Sequence, residues 1–134
     1  MTRPTVLDAS ALLAVLLEEE GSEEVQQAIL AGATMSAVNL AEVLGKFADR
    51  GEDPVAVARF LAEGGVLPKG IRVVPFDGDS ARETARIRRA TTGSGLSLGD
   101  RACLALARSL AAPALTTDRA WARLRVGVKV RVLR

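Results

Sequence analysis

The 134 residues are 49% apolar and 25% charged, the balance of an ordinary folded domain rather than of a disordered chain. The absence of histidine excludes Ser-His-Asp and Cys-His catalysis, histidine-ligated zinc and a histidine pH switch, and the single cysteine, Cys103, excludes an intrachain disulfide or a Cys-x-x-Cys site. The net charge of +2 hides an asymmetry: residues 1–67 carry 11 acids and 4 bases, residues 68–134 carry 5 acids and 14 bases, a basic half that suits a polyanion such as RNA but is equally an ordinary solvated surface.

In chain order, residues 1–17 look superficially like a secretion signal. Asp8 interrupts the apolar stretch, and Glu18-Glu19-Glu20 stands where small residues belong. The apolar run over 9–17 is also far too short to span a bilayer. The expectation is a cytoplasmic protein with no membrane segment. Residues 5–8 predict a strand ending in an acid. Residues 9–20 predict a helix stopped by Gly21, and Ser22 is expected to cap a second helix over 23–30. A strand over 33–36 precedes helices over 38–50 and 53–63, stopped by Gly51 and by Gly64-Gly65. A third strand covers 71–74. A helix over 79–90, a loop over 91–95 and a helix over 97–110 follow. Residues 114–116 predict a fourth strand and 118–124 a last short helix. Val126, Val128, Val130 and Val132 alternate with Gly127, Lys129 and Arg131, which predicts an edge strand over 126–132 with one polar face. Strands separated by helices predict an α/β protein, a three-layer α/β/α sandwich with a mainly parallel central sheet, as one domain over residues 1–134.

In such a sheet, sites form at the C-terminal ends of the strands. Asp8 follows the first strand and Asp118 the fourth. Glu42 and Asp100 lie early in helices that start from the same edge. Four carboxylates from distant parts of the chain are thus expected at one edge, where mutual repulsion calls for a cation. An all-oxygen site suits Mg²⁺ or Mn²⁺. Each acid also has a plain structural reading. Asp8 can cap the first helix, Glu42 can pair with Lys46 one turn on, Asp100 can close the Ser97-Leu-Gly-Asp100 capping pattern, and Asp118 can cap the last helix. Their joint placement is what those local roles do not require.

The segments Val6-Leu-Asp-Ala-Ser-Ala-Leu-Leu-Ala14, Ser36-Ala-Val-Asn-Leu-Ala-Glu-Val-Leu-Gly-Lys46, Leu96-Ser-Leu-Gly-Asp-Arg-Ala-Cys-Leu-Ala-Leu-Ala107 and Leu115-Thr-Thr-Asp118 together resemble a PIN domain, most closely a VapC-type toxin of a toxin–antitoxin pair. The resemblance implies a ribonuclease that cleaves RNA phosphodiester bonds with a metal-activated water, using Mg²⁺ or Mn²⁺ held by Asp8, Glu42, Asp100 and Asp118, with Ser10 and Thr116 as hydroxyl contacts. Asp8, Glu42 and Asp100 are expected on one metal, with Asp118 acting through water or on a second. Asn39 stands where many relatives have Thr or Ser. The resemblance further implies a homodimer and a VapB-like antitoxin whose C-terminal segment covers the site. From the residues, Leu12, Leu13, Leu16, Leu17, Val57, Phe60 and Leu61 are candidates for its groove, and Arg82, Arg86 and Arg89 for an RNA-tracking helix face.

Other readings compete. A response-regulator receiver needs a phospho-acceptor after a central strand, for which Asp77 is the candidate, but Asp8 is not paired with a second acid. A haloacid-dehalogenase-like phosphatase needs Asp-x-Asp, which Asp8-Ala-Ser10 breaks. A non-catalytic RNA- or protein-binding module on the same fold is the remaining alternative.

Overall fold

Side chains alternate across the strands, and here the alternation divides the core into two. The computed structural model describes residues 4–134, so the first three residues of the leader-like stretch lie outside the described residues. Strand β1 (Thr5–Leu7) sends Val6 to one face and Leu7 to the other, and β4 (Ala114–Thr116) does the same with Ala114 and Leu115. Val6 and Ala114 pack under α6 (Leu98–Leu110) with Cys103, Leu104, Ala107 and the fully buried Trp121. Leu7 and Leu115 join Met35 of β2 (Ala33–Ser36) and Ile71 of β3 (Ile71–Val74) on the opposite face. That face is covered by α1 (Ala9–Leu16), α2 (Ser22–Leu30), α3 (Ala37–Asp49) and α4 (Pro54–Glu63). With α5 (Gly78–Arg86) packed beside α6, the result is the expected three-layer α/β/α arrangement.

The strand order is β3-β2-β1-β4-β5, and every pairing among the described residues is parallel. The last strand, β5 (Val130–Val132), lies at an edge as the alternation predicts. It is shorter than 126–132 because its partner β4 offers only three residues to pair, Ala114, Leu115 and Thr116. Val126 instead turns into the core and Gly127 takes a left-handed φ of 75°.

Three other boundaries move for local reasons. Helix α1 ends at Leu16 rather than at residue 20, since three successive glutamates face the negative end of the helix dipole. Ser22 is the first residue of α2, not its cap; Gly21 holds the cap position at φ 97°, where a Cβ would lie 2.7 Å from that of Leu133. Helix α5 stops at Arg86, and Arg89–Thr91 forms a separate 3₁₀ turn in which the Thr91 hydroxyl donates to the Ile87 carbonyl at 2.9 Å. Arg82, Arg86 and Arg89 therefore do not share one helix face. Arg82 pairs with Asp79, and Arg86 lies 3.7 Å from Glu83. The two oppositely charged halves of the chain also meet: Arg131 pairs with Glu24, and Arg134 reaches Glu19 at 3.3 Å. No helix among the described residues is long and apolar enough to cross a membrane.

Candidate active site

The chain runs β1, β2, β3 toward one edge and then returns to add β4 and β5 on the other side of β1. The order thus reverses between β1 and β4, and the crevice at such a reversal is where ligands bind in open parallel sheets. Asp8 leaves the end of β1 at this place and Thr116 ends β4 beside it. Asp8 is 5% exposed. Its Oδ1 accepts from Ser10 Oγ at 2.7 Å and from the Ala11 N–H at 2.8 Å, and its Oδ2 accepts from Thr116 Oγ1 at 2.5 Å. The two hydroxyls also accept: Thr117 N–H donates to Ser10 Oγ and Asp118 N–H to Thr116 Oγ1, both at 3.0 Å. Ser10 and Thr116 therefore tie Asp8 to the backbone that carries Asp118.

Asp118 starts the 3₁₀ turn Arg119–Arg123, and its Oδ1 accepts from the Ala120 N–H at 2.9 Å. Asp100 closes a capping box at the start of α6: its Oδ2 accepts from the Ser97 N–H at 3.0 Å, while the Asp100 N–H donates to Ser97 Oγ at 3.1 Å. Glu42, one turn into α3, accepts at Oε1 from Asn39 Nδ2 at 2.9 Å. Each of these three acids is thus anchored through one oxygen. Among the described residues Glu42 Oε2, Asp100 Oδ1 and Asp118 Oδ2 have no partner. All four acids line one cleft of about 320 Å³ together with Ala9, Ser10, Leu13 and Lys46.

Burial pushes the Asp8 carboxyl up from 3.8 to about 6; its hydrogen bonds from Thr116, Ser10 and Ala11 pull it down in part, and the Asp100 charge adds to the rise. Cys103, buried one turn into α6, is pushed well above its ordinary range, first by burial and then by Asp8, Asp100 and Glu42. Three carboxylates from three elements thus act on one buried thiol.

The donor chemistry fits a hard divalent cation: oxygens only, anionic, with three of them unengaged. The fit is one of composition and placement, since no three of these groups among the described residues form a ready ligand set.

The sequence model of the PIN domain family matches residues 5–127. The chain belongs to this family. No curated protein matches it. Among solved structures this PIN domain is similar to DNA-bound VapBC from Salmonella typhimurium, at 17% identity over 100% of both chains with a TM-score of 0.72. It is also similar to VapC20 of Mycobacterium tuberculosis, a sarcin-ricin loop cleaving toxin, at 18% identity over 93% of this chain and 98% of that one, TM-score 0.68. A third is VapBC-5 of Mycobacterium tuberculosis, a member of the VapBC family of toxin–antitoxin systems, at 25% identity over 98% of each chain, TM-score 0.61. At the lower identities the likeness is one of fold.

Within this PIN domain the local roles of the acids and their shared cleft coexist. Asp8, Asp100 and Asp118 do cap helices or turns, as their plain readings expected, and still line the cleft with Glu42. Glu42 does not pair with Lys46; no ion pair joins them among the described residues, and Lys46 lines the cleft on its own. Asp77 caps α5 through Ser80, whose N–H and hydroxyl hold its carboxyl below the usual range, and it follows an edge strand, not a central one. That position removes the receiver reading. Two contributors went unnoticed in the sequence. Gly99 gives the Glu42 carboxylate its space, since a Cβ there would fall 2.4–2.5 Å from it; the signal was a glycine inside the first turn of a well-capped helix. Arg101 donates to Thr91 Oγ1 at 2.8 Å and to the Leu96 carbonyl at 2.9 Å, fixing the loop before α6. Nothing in the sequence distinguished it from other surface arginines.

Proposed function

We propose that this PIN domain, as one unit over residues 1–134, is a metal-dependent endoribonuclease and the toxin of a toxin–antitoxin pair acting in the cytoplasm. The observation that carries this reading is the cleft at the β1/β4 reversal, lined by four carboxylates from separate elements in a chain without histidine. Asp8, Glu42 and Asp100 would hold Mg²⁺ or Mn²⁺, and Asp118 would assist them or contribute to a second ion. When bound, the cation would supply water activation and positive charge to offset the charge developing on the phosphate. Ser10 and Thr116 donate to the two oxygens of Asp8 and keep its plane fixed. Lys46, in the cleft wall, sets a positive charge beside the incoming RNA backbone.

The partner reading has its own support. A groove of about 500 Å³ is lined by Leu16, Phe47, Val57, Phe60 and Leu61, with Phe60 70% exposed. Of the apolar residues proposed for this role, Leu12 is fully buried core, and Leu13 lines the acidic cleft one turn before Leu16. Groove and cleft thus adjoin along α1, and one amphipathic VapB-like segment fits across both. The homodimer belongs to the same proposal, and sedimentation of the purified chain tests it.

The test of activity is RNA cleavage with Mg²⁺ or Mn²⁺, with EDTA, and in Asp8→Asn and Asp100→Asn. Full activity in both variants rejects the site. The second reading is a non-catalytic RNA- or protein-binding module on the same fold. Mn²⁺ titration separates the two: binding supports the nuclease, and no binding supports the module.

A further inference from the structure

Asn39 is 1% exposed. Its Nδ2 donates twice, to Glu42 Oε1 at 2.9 Å and to the Gly99 carbonyl, 60 residues away, at 3.0 Å. Among the described residues its own Oδ1 is buried without a partner. Leaving a buried acceptor unpaired is costly, yet turning the amide over would set Oδ1 against two groups that can only accept. The orientation is therefore dictated by the two donations. A Ser or Thr hydroxyl carries one proton and cannot serve both acceptors at once; an amide can. On the other side of Glu42, Gly99 supplies room that any other residue would fill. The Gly99 carbonyl immediately precedes Asp100, so the same amide group ties α3 to the start of α6.

We propose that Asn39 is a positioning residue that seats the Glu42 carboxylate against Gly99 and so fixes the spacing of Glu42 and Asp100 as a pair of cation ligands. This inference rests on reading the cleft as a cation site.

The test is Mn²⁺ affinity of the intact chain, measured by calorimetry, for the unaltered protein, Asn39→Leu, Glu42→Gln and the double variant, with a thermal melt in EDTA for each. Asn39→Leu is expected to weaken Mn²⁺ binding about 10- to 100-fold, the range for removing a group that orients a metal ligand. The double variant is expected to bind as weakly as Glu42→Gln alone, because Asn39 acts through Glu42. A general effect on folding would instead add to the Glu42→Gln loss, and that additivity overturns the proposal. Should Asn39→Leu give no cooperative melt, Gly99→Ala carries the same test by displacing Glu42 from the other side, with the same expected loss. If the unaltered chain binds Mn²⁺ and both Asn39→Leu and Gly99→Ala bind it equally tightly, only the positioning role falls. If the unaltered chain binds no Mn²⁺, the cation reading itself falls, and the positioning role with it.

Discussion

Replacing Asp8 by Asn should stabilise the metal-free protein at neutral pH while abolishing its response to metal. Asp8 titrates near 3.8 in an open chain and near 6 in the fold, with burial as the main cause. The folded state therefore binds this proton more tightly than the unfolded state does. Stability contributed by this group is highest below pH 4 and falls as the pH rises toward and through 6. The gap of about two pH units corresponds to about 3 kcal/mol, a cost fully present at pH 7. Asparagine has the shape of the protonated acid. Its Oδ1 can still accept from the Ala11 N–H and Ser10 Oγ, and its Nδ2 can donate to Thr116 Oγ1, whose hydroxyl proton is then released from Asp8. In EDTA at pH 7, Asp8→Asn is thus expected to gain up to about 3 kcal/mol, roughly 10 °C in Tm for a chain of this length. At pH 4 the two proteins should melt together. Other carboxylates titrate in both, so the difference between the two pH profiles isolates Asp8. Saturating Mn²⁺ should raise the Tm of the unaltered protein, by about 2.7 kcal/mol at one hundred times its Kd, and leave the variant unmoved. Circular dichroism melts from pH 4 to 8 supply the measurement. A difference profile flat in pH, or a variant less stable at pH 7, refutes the reasoning.

Glu42→Gln and Asp100→Asn are each expected to lower cleavage of a fluorescent RNA by about two orders of magnitude or more at fixed Mn²⁺, with EDTA abolishing it in the unaltered protein; a loss under tenfold in both contradicts the assignment. Phe60→Asp, on an exposed side chain, should shift stability by no more than about 0.5 kcal/mol and retain cleavage. It should also stop a co-expressed antitoxin from co-purifying, and continued co-purification places the partner elsewhere. Trp121→Ala empties a fully buried site between α6 and the sheet and should cost about 3–5 kcal/mol in urea unfolding.

Much of the fold was legible because it depends on near neighbours in the chain. The short strand before Asp8, the cap at Ser97, the Asp53 cap of α4 and the stop at Gly51 are all set within one turn or one strand. The acids could be proposed for one edge because parallel strands all end on the same side. The sequence showed how Asp8, Asp100 and Asp118 are anchored locally, but for Glu42 it offered Lys46, where the fold uses Asn39. It also suggested an arginine face that charge pairing and the end of α5 remove.

By itself, then, the sequence determined an α/β chain without histidine chemistry, with its acids at strand ends and helix starts. Only the tertiary structure decided that β1 lies beside β4, so that Thr116 meets Asp8 across 108 residues, and that Asn39 and Gly99 meet around Glu42 across 60. The physical reason is range. Hydrogen bonds within a turn are encoded by residues three or four apart, whereas contacts between distant segments exist only once the crossovers have ordered the sheet.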